Sequence, residues 1–112
     1  ALHFPRAEFA CNCGCGFDTI DTATLEIVEA VREHFRTPVT VTSGCRCEAY
    51  NRKVGGAPDS QHTKARAADI QVKGVAPASV YDWLAAEFPS ASLGRYATFT
   101  HVDTRSNGPA RW

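Results

Sequence analysis

Apolar positions change their rhythm several times along the chain. In "DTATLEIVEAVREHFR", residues 21–36, Leu25, Val28, Val31 and Phe35 recur at helical spacing and Ile27 widens the stripe. Asp21 or Thr22 is placed to cap this helix, with Glu26 in its first turns. Pro38 disfavours helix in the residue before it, so the helix ends ahead of "TPVTVTSG". "VTVT" is β-branched throughout and predicts a short strand. "CEAYNRKVGG" predicts a short helix closed by glycine, followed by the polar loop "GAPDSQH". "AADIQV" predicts a second strand. "APASVYDWLAAEF" predicts a second amphipathic helix, with Pro77 near its first turn and Val80, Leu84 and Phe88 along one side. "LGRYATFTHVDT" offers two short strands or one bent one, and "RSNGPARW" reads as a loop-like tail. Residues 1–20 read as an extended arm with turns at Gly14 and Gly16. Helices interleaved with short strands, without repeats or linkers, predict one small α+β domain over residues 1–112.

Composition narrows the classes. Twelve basic and twelve acidic residues balance, so no net field draws the chain to nucleic acid or an anionic membrane. No apolar run approaches the roughly 20 residues of a membrane span. The absence of methionine is the mark expected of a processed or trimmed product. Nothing in the sequence asks for more than a monomer.

Five cysteines fall in two groups, Cys11, Cys13 and Cys15 in "FACNCGCGF" and Cys45 and Cys47 in "TSGCRCEAYN". Small domains short of core use disulfides in oxidising compartments. A structural zinc site is the alternative, but its cysteines usually stand two to four residues apart, whereas neighbours here are spaced by one. Disulfides between the groups are therefore expected, with one thiol left over.

The candidate chemistry centres on "SQHTKARAADI", which places His62 on a loop and Asp69 on the following strand. Two imidazoles and a carboxylate would give a zinc site with net charge +1, suited to a bound hydroxide and a polarised carbonyl. His101 in "FTHVDTR" is the best third ligand, because its strand-like segment can pair beside "ADIQV". His34 sits at a helix C-terminus, where a cation is favourable in its own right, and His3 lies near a chain end. Asp103, two positions after His101, points to the same face of a strand and is a candidate base for a water proton. It can equally serve as an acceptor for His101 or pair with Arg105. Arg46, after a strand and a glycine, can grip a carboxylate or steady an oxyanion, or form a surface ion pair. Ser60 and Gln61 can donate to substrate or order the loop. A nucleophilic Cys–His pair is disfavoured by the clustering of all five cysteines. No phosphate-cradling loop or GxSxG elbow is present.

Three blocks in order, "TSGCRCEAYNRKVGG", "SQHTKARAADI" and "GRYATFTHVDTR", resemble the zinc D-Ala-D-Ala carboxypeptidase family, within the peptidoglycan peptidases that include L-Ala-D-Glu endopeptidases. The "CGCGF" start resembles a small bacterial and phage subfamily. The resemblance implies the Hedgehog/D-Ala-D-Ala peptidase fold, an α+β domain with a small antiparallel sheet and flanking helices. It implies zinc ligands His62, Asp69 and His101, with Arg46 gripping substrate. It implies hydrolysis of a stem-peptide amide bond by zinc-activated water, in the periplasm, outside the cell, or at a wall to which a phage delivers the enzyme. Two residues depart from the pattern. Ala65 stands where members commonly have glycine. Thr98 stands where many carry the catalytic acid, which leaves Asp103 or an acid from elsewhere as base. The small size favours an L-Ala-D-Glu endopeptidase, with a D-Ala-D-Ala carboxypeptidase as the alternative. A non-catalytic zinc-containing wall-binding module and a metal-free, disulfide-stabilised interaction domain are the rival readings.

Overall fold

A computed structural model describes residues 6–12, 14–15, 20–56, 60–64, 66–105 and 109–112. His3, Cys13, Gly16 and Ala65 lie outside them, as do residues 57–59 of the "GAPDSQH" loop. Asp21 caps the first long helix, α1 (Thr22–Phe35), by accepting from the Ala23 amide at 2.9 Å. Arg36 closes it in the left-handed region, at φ 54°. Strand β1 (Val39–Ser43) leads to the short helix α2 (Glu48–Lys53) and then to strand β2 (Ala67–Val72). Helix α3 (Pro77–Glu87) begins on Pro77, whose missing N–H costs nothing in a first turn. The "LGRYATFTHVDT" segment resolves into two strands, β3 (Ser92–Arg95) and β4 (Thr100–Asp103).

The strands form one antiparallel sheet in the order β1-β2-β4-β3. Alternation along the strands gives it two unlike faces. Ala68, Ile70, Val72, Leu93 and Val102 turn to one side and meet Ile27, Val28 and Val31 of α1 and Val80 and Leu84 of α3, which together form the core. The other side carries Asp69, His101 and Asp103. This is the α+β fold with a small antiparallel sheet and flanking helices expected from the sequence.

Two terminal segments differ from the expectation. Among the described residues the arm holds a 3-10 turn, Arg6–Phe9, rather than an extended run, and Phe9 at its end is fully buried in the core. Gly14 does mark a turn, at φ 80°, with its amide on the Cys11 carbonyl at 3.1 Å. The tail is not simply loop-like. Leu93 and Arg95 donate to the carbonyls of Ala110 and Trp112 at 2.9 and 2.8 Å, so the tail lies along the open edge of β3 and covers it.

Candidate metal centre

The sheet register builds the centre. Ser43, Asp69, His101 and Gly94 are paired neighbours across β1, β2, β4 and β3, so they form one row on the polar face. A register shift between Val41 and Ser43 brings Ser43 into that row. Asp69 and His101 meet directly, Oδ1 to Nδ1 at 2.9 Å. His62 comes in from the loop before β2, with Nε2 3.3 Å from Asp69 Oδ2. The donor atoms of these three buried residues all lie within 4.8 Å of one another.

Each imidazole is held from behind. His62 Nδ1 lies 2.6 Å from the Gly44 carbonyl, which can only accept, so Nδ1 carries the proton and Nε2 offers its lone pair to the centre. His101 Nε2 lies 2.7 Å from Asp103 Oδ2, which places its proton there and frees Nδ1. Two fixed imidazoles and one carboxylate make a donor set that fits zinc.

The expected base, Asp103, stands behind His101 rather than beside the ligand atoms. It is fully buried, and Arg105 holds both carboxylate oxygens, Nε to Oδ1 at 2.9 Å and Nη2 to Oδ2 at 2.7 Å. Burial alone would raise its pKa, but Arg105 and His101 outweigh that and hold the carboxyl far below the usual range. A carboxylate so placed orients a ligand and is a poor acceptor for a water proton.

Arg46 reaches the edge of the row, with Nη2 3.7 Å from Asp69 Oδ2. Its other nitrogens are tied down, Nε to Ser43 Oγ at 3.3 Å and Nη1 to Asn51 Oδ1 at 3.1 Å. Ser60 Oγ accepts from the His62 amide at 3.2 Å and so orders the loop. Gln61 Oε1 is buried with no hydrogen-bond partner among the described residues. The centre opens into a cleft of about 580 Å³, lined by Arg46, Gly55 and Gly56 and by the aromatic rings of Tyr96, Phe99 and Trp112. Among the described residues lining it, Asp69 is the only carboxylate.

Several of these contacts are not legible in the sequence. Asn51, which fixes Arg46, looked like any residue of a short helix. Trp112 packs its indole where a Cβ on Gly94 would stand, 2.6 Å from Cε2, and its ring centre lies 5.1 Å from that of His101. A lone tryptophan in a polar tail was the one available signal.

The model of the family described as Peptidase M15 matches residues 2–103. The chain belongs to that family. It is therefore a zinc metallopeptidase, and the zinc centre of this M15 peptidase is assigned below to His62, Asp69 and His101. Its family places it among peptidases that act on peptidoglycan. No curated protein matches the chain.

The charges set a pH dependence. Burial lowers the pKa of His101, but its bonds to Asp103 and Asp69 win and hold it above 6.5. Burial raises Asp69, yet its contacts with His101 and His62 hold it down at about 2. In the metal-free protein the His101 contribution is present below 6.5 and lost as pH rises through the raised pKa. The Asp69 contribution is present above 3.8 and lost as pH falls towards about 2. Zinc needs neutral His101, so uptake near neutral pH is expected to release a proton and to weaken as pH falls. Calorimetric titration in two buffers of different ionisation enthalpy checks this; identical heats would contradict it.

Proposed function

We propose that this M15 peptidase is an endopeptidase that cuts the L-Ala-D-Glu bond of the peptidoglycan stem. We assign zinc to His62 Nε2, the Asp69 carboxylate and His101 Nδ1. When bound there, zinc supplies a water of lowered pKa and polarises the scissile carbonyl. Arg46 Nη2 faces the same point and steadies the negative charge that develops on that oxygen. Gly44 and Asp103 keep the two imidazoles in register, and Trp112, Tyr96 and Phe99 offer flat surfaces to one flank of the peptide.

The observation that carries the choice of bond is the commitment of the two cleft arginines. A carboxypeptidase gains from a guanidinium whose two-nitrogen fork is open to the terminal carboxylate, and Arg46 keeps only Nη2 for the site. Arg46 is tied to Ser43 and Asn51, and Arg105 grips Asp103 through two nitrogens. The three ligand residues line one cleft with Arg46 and the aromatic rings, and a chain continuing past the cut on each side is the substrate we place in it. The enzyme is then at work where its polymer lies, in the periplasm or outside the cell, whether a bacterium makes it or a phage delivers it.

Digestion of purified muropeptides by zinc-loaded protein, with mass-spectrometric analysis, is the test. Release of the stem from its L-Ala is expected. Loss of a single terminal alanine would assign the carboxypeptidase instead, and no product would remove both readings.

A further inference from the structure

The cysteines form a second cluster. No disulfide joins Cys11, Cys15, Cys45 and Cys47 to one another. The Sγ atoms of Cys11, Cys15 and Cys47 all lie within 4.8 Å of one another. We infer that these three residues hold a structural zinc ion, distinct from the catalytic one, which fastens the N-terminal arm to the loop that supports the active site.

Geometry separates this from a disulfide pair. Cys11 and Cys47 stand 3.9 Å apart, sulfur to sulfur. A bonded pair needs about 2.05 Å. Two thiolates at about 2.3 Å from one tetrahedral zinc sit about 3.8 Å apart, the edge that bond length dictates. The third sulfur, on Cys15, lies across the Gly14 turn from Cys11. Three residues separate Cys11 from Cys15, within the spacing usual for zinc pairs, so the pair that matters is not one of adjacent cysteines. Backbone amides support the charge on sulfur. The Cys47 amide points at Cys11 Sγ and the Tyr50 amide at Cys47 Sγ, each at 3.4 Å. Cys45 is set apart, its thiol donating to the Phe9 carbonyl at 3.0 Å. Cys15 is exposed, which gives an ion a way in. Three thiolates leave one tetrahedral position for water or a further donor, and binding releases the thiol protons.

The ion would act on the active site through Gly44. A Cβ on Gly44 would lie 2.5 Å from the Phe9 carbonyl oxygen, so arm and loop touch backbone to backbone there. The Cys45 amide bonds the same carbonyl at 2.9 Å. Gly44 in turn orients His62, and the Arg46 amide donates to the His62 carbonyl at 3.0 Å. A metal pinning Cys11 and Cys15 to Cys47 fixes both ends of this segment.

The test compares metal content and cobalt spectra of wild type, Cys47→Ser and Asp69→Ala. Wild type prepared without chelator should carry about two zinc ions per chain, and each variant about one. Cobalt-loaded Asp69→Ala should keep a thiolate-to-metal charge-transfer band, which Cys47→Ser should lack. About one ion in wild type with none in Asp69→Ala overturns the inference, as does recovery of a Cys11–Cys47 disulfide from the unreduced protein. Because Asp69→Ala retains all the cysteines, its spectrum decides the matter even if Cys47→Ser does not fold. Neither overturning result touches the peptidase reading, which the muropeptide digest tests separately.

Discussion

Replacing Asp69 with alanine is expected to abolish peptidase activity. The residue is the centre of the row, within reach of both imidazoles, 2.9 Å from His101 and 3.3 Å from His62. Its loss removes one of three donors and the one carboxylate among the described residues that line the cleft. A Lewis acid contributes several kcal/mol to the barrier, so turnover should fall by about 1000-fold or more even with zinc added. The side chain faces the cleft rather than the helix-backed core, so the fold should survive. Equilibrium dialysis against zinc, with turnover measured alongside, checks the assignment. Undiminished zinc uptake and turnover in Asp69→Ala would mean that the ligand set lies elsewhere.

The second large effect is expected at Asp103. Asparagine there keeps an acceptor for His101 but loses the charge that holds the imidazole and both arms of Arg105. Outer carboxylates of this kind change metal affinity by about 10–100-fold. Asp103→Asn should therefore release zinc to a competing chelator more readily by about that factor, with most of its turnover restored at saturating zinc. A catalytic base would give the reverse pattern, unchanged affinity and turnover down by about 100-fold. The two outcomes are separated by titrating activity against free zinc.

Much of this centre was legible because its residues sit in periodic elements. Asp69 and His101 could be placed together because two strand-like segments can pair, and period-two alternation put Asp103 on the face of His101. The same alternation left open whether Asp103 serves as base, as acceptor for His101 or as partner of Arg105. It gives a face but not a depth, and depth here is decided by Arg105, which pulls the carboxylate behind the imidazole. The helices followed from the stripe of Val28, Val31 and Leu84, where burial and period agree. The arm and tail were read less well, since each is held by contacts with partners distant in the chain. Phe9 ties the arm to the core, and Trp112 seats the tail by filling the space above Gly94. The Arg46–Asn51 bond spans only five residues, yet it depends on both side chains turning towards each other, which no spacing rule expresses.

Trp112 also has an optical consequence. The chain holds two tryptophans. Trp83 is stacked on His34 at 4.3 Å and packs against the core, away from the chemistry. Trp112 is 45% exposed, stands one ring away from His101, and bonds the Tyr96 hydroxyl at 2.8 Å. Its fluorescence is therefore expected to respond to ligation of His101, while Trp83 answers to a different imidazole, His34. The protein carries its own indicator dye, and occupancy of its cleft can be followed by emission without any label.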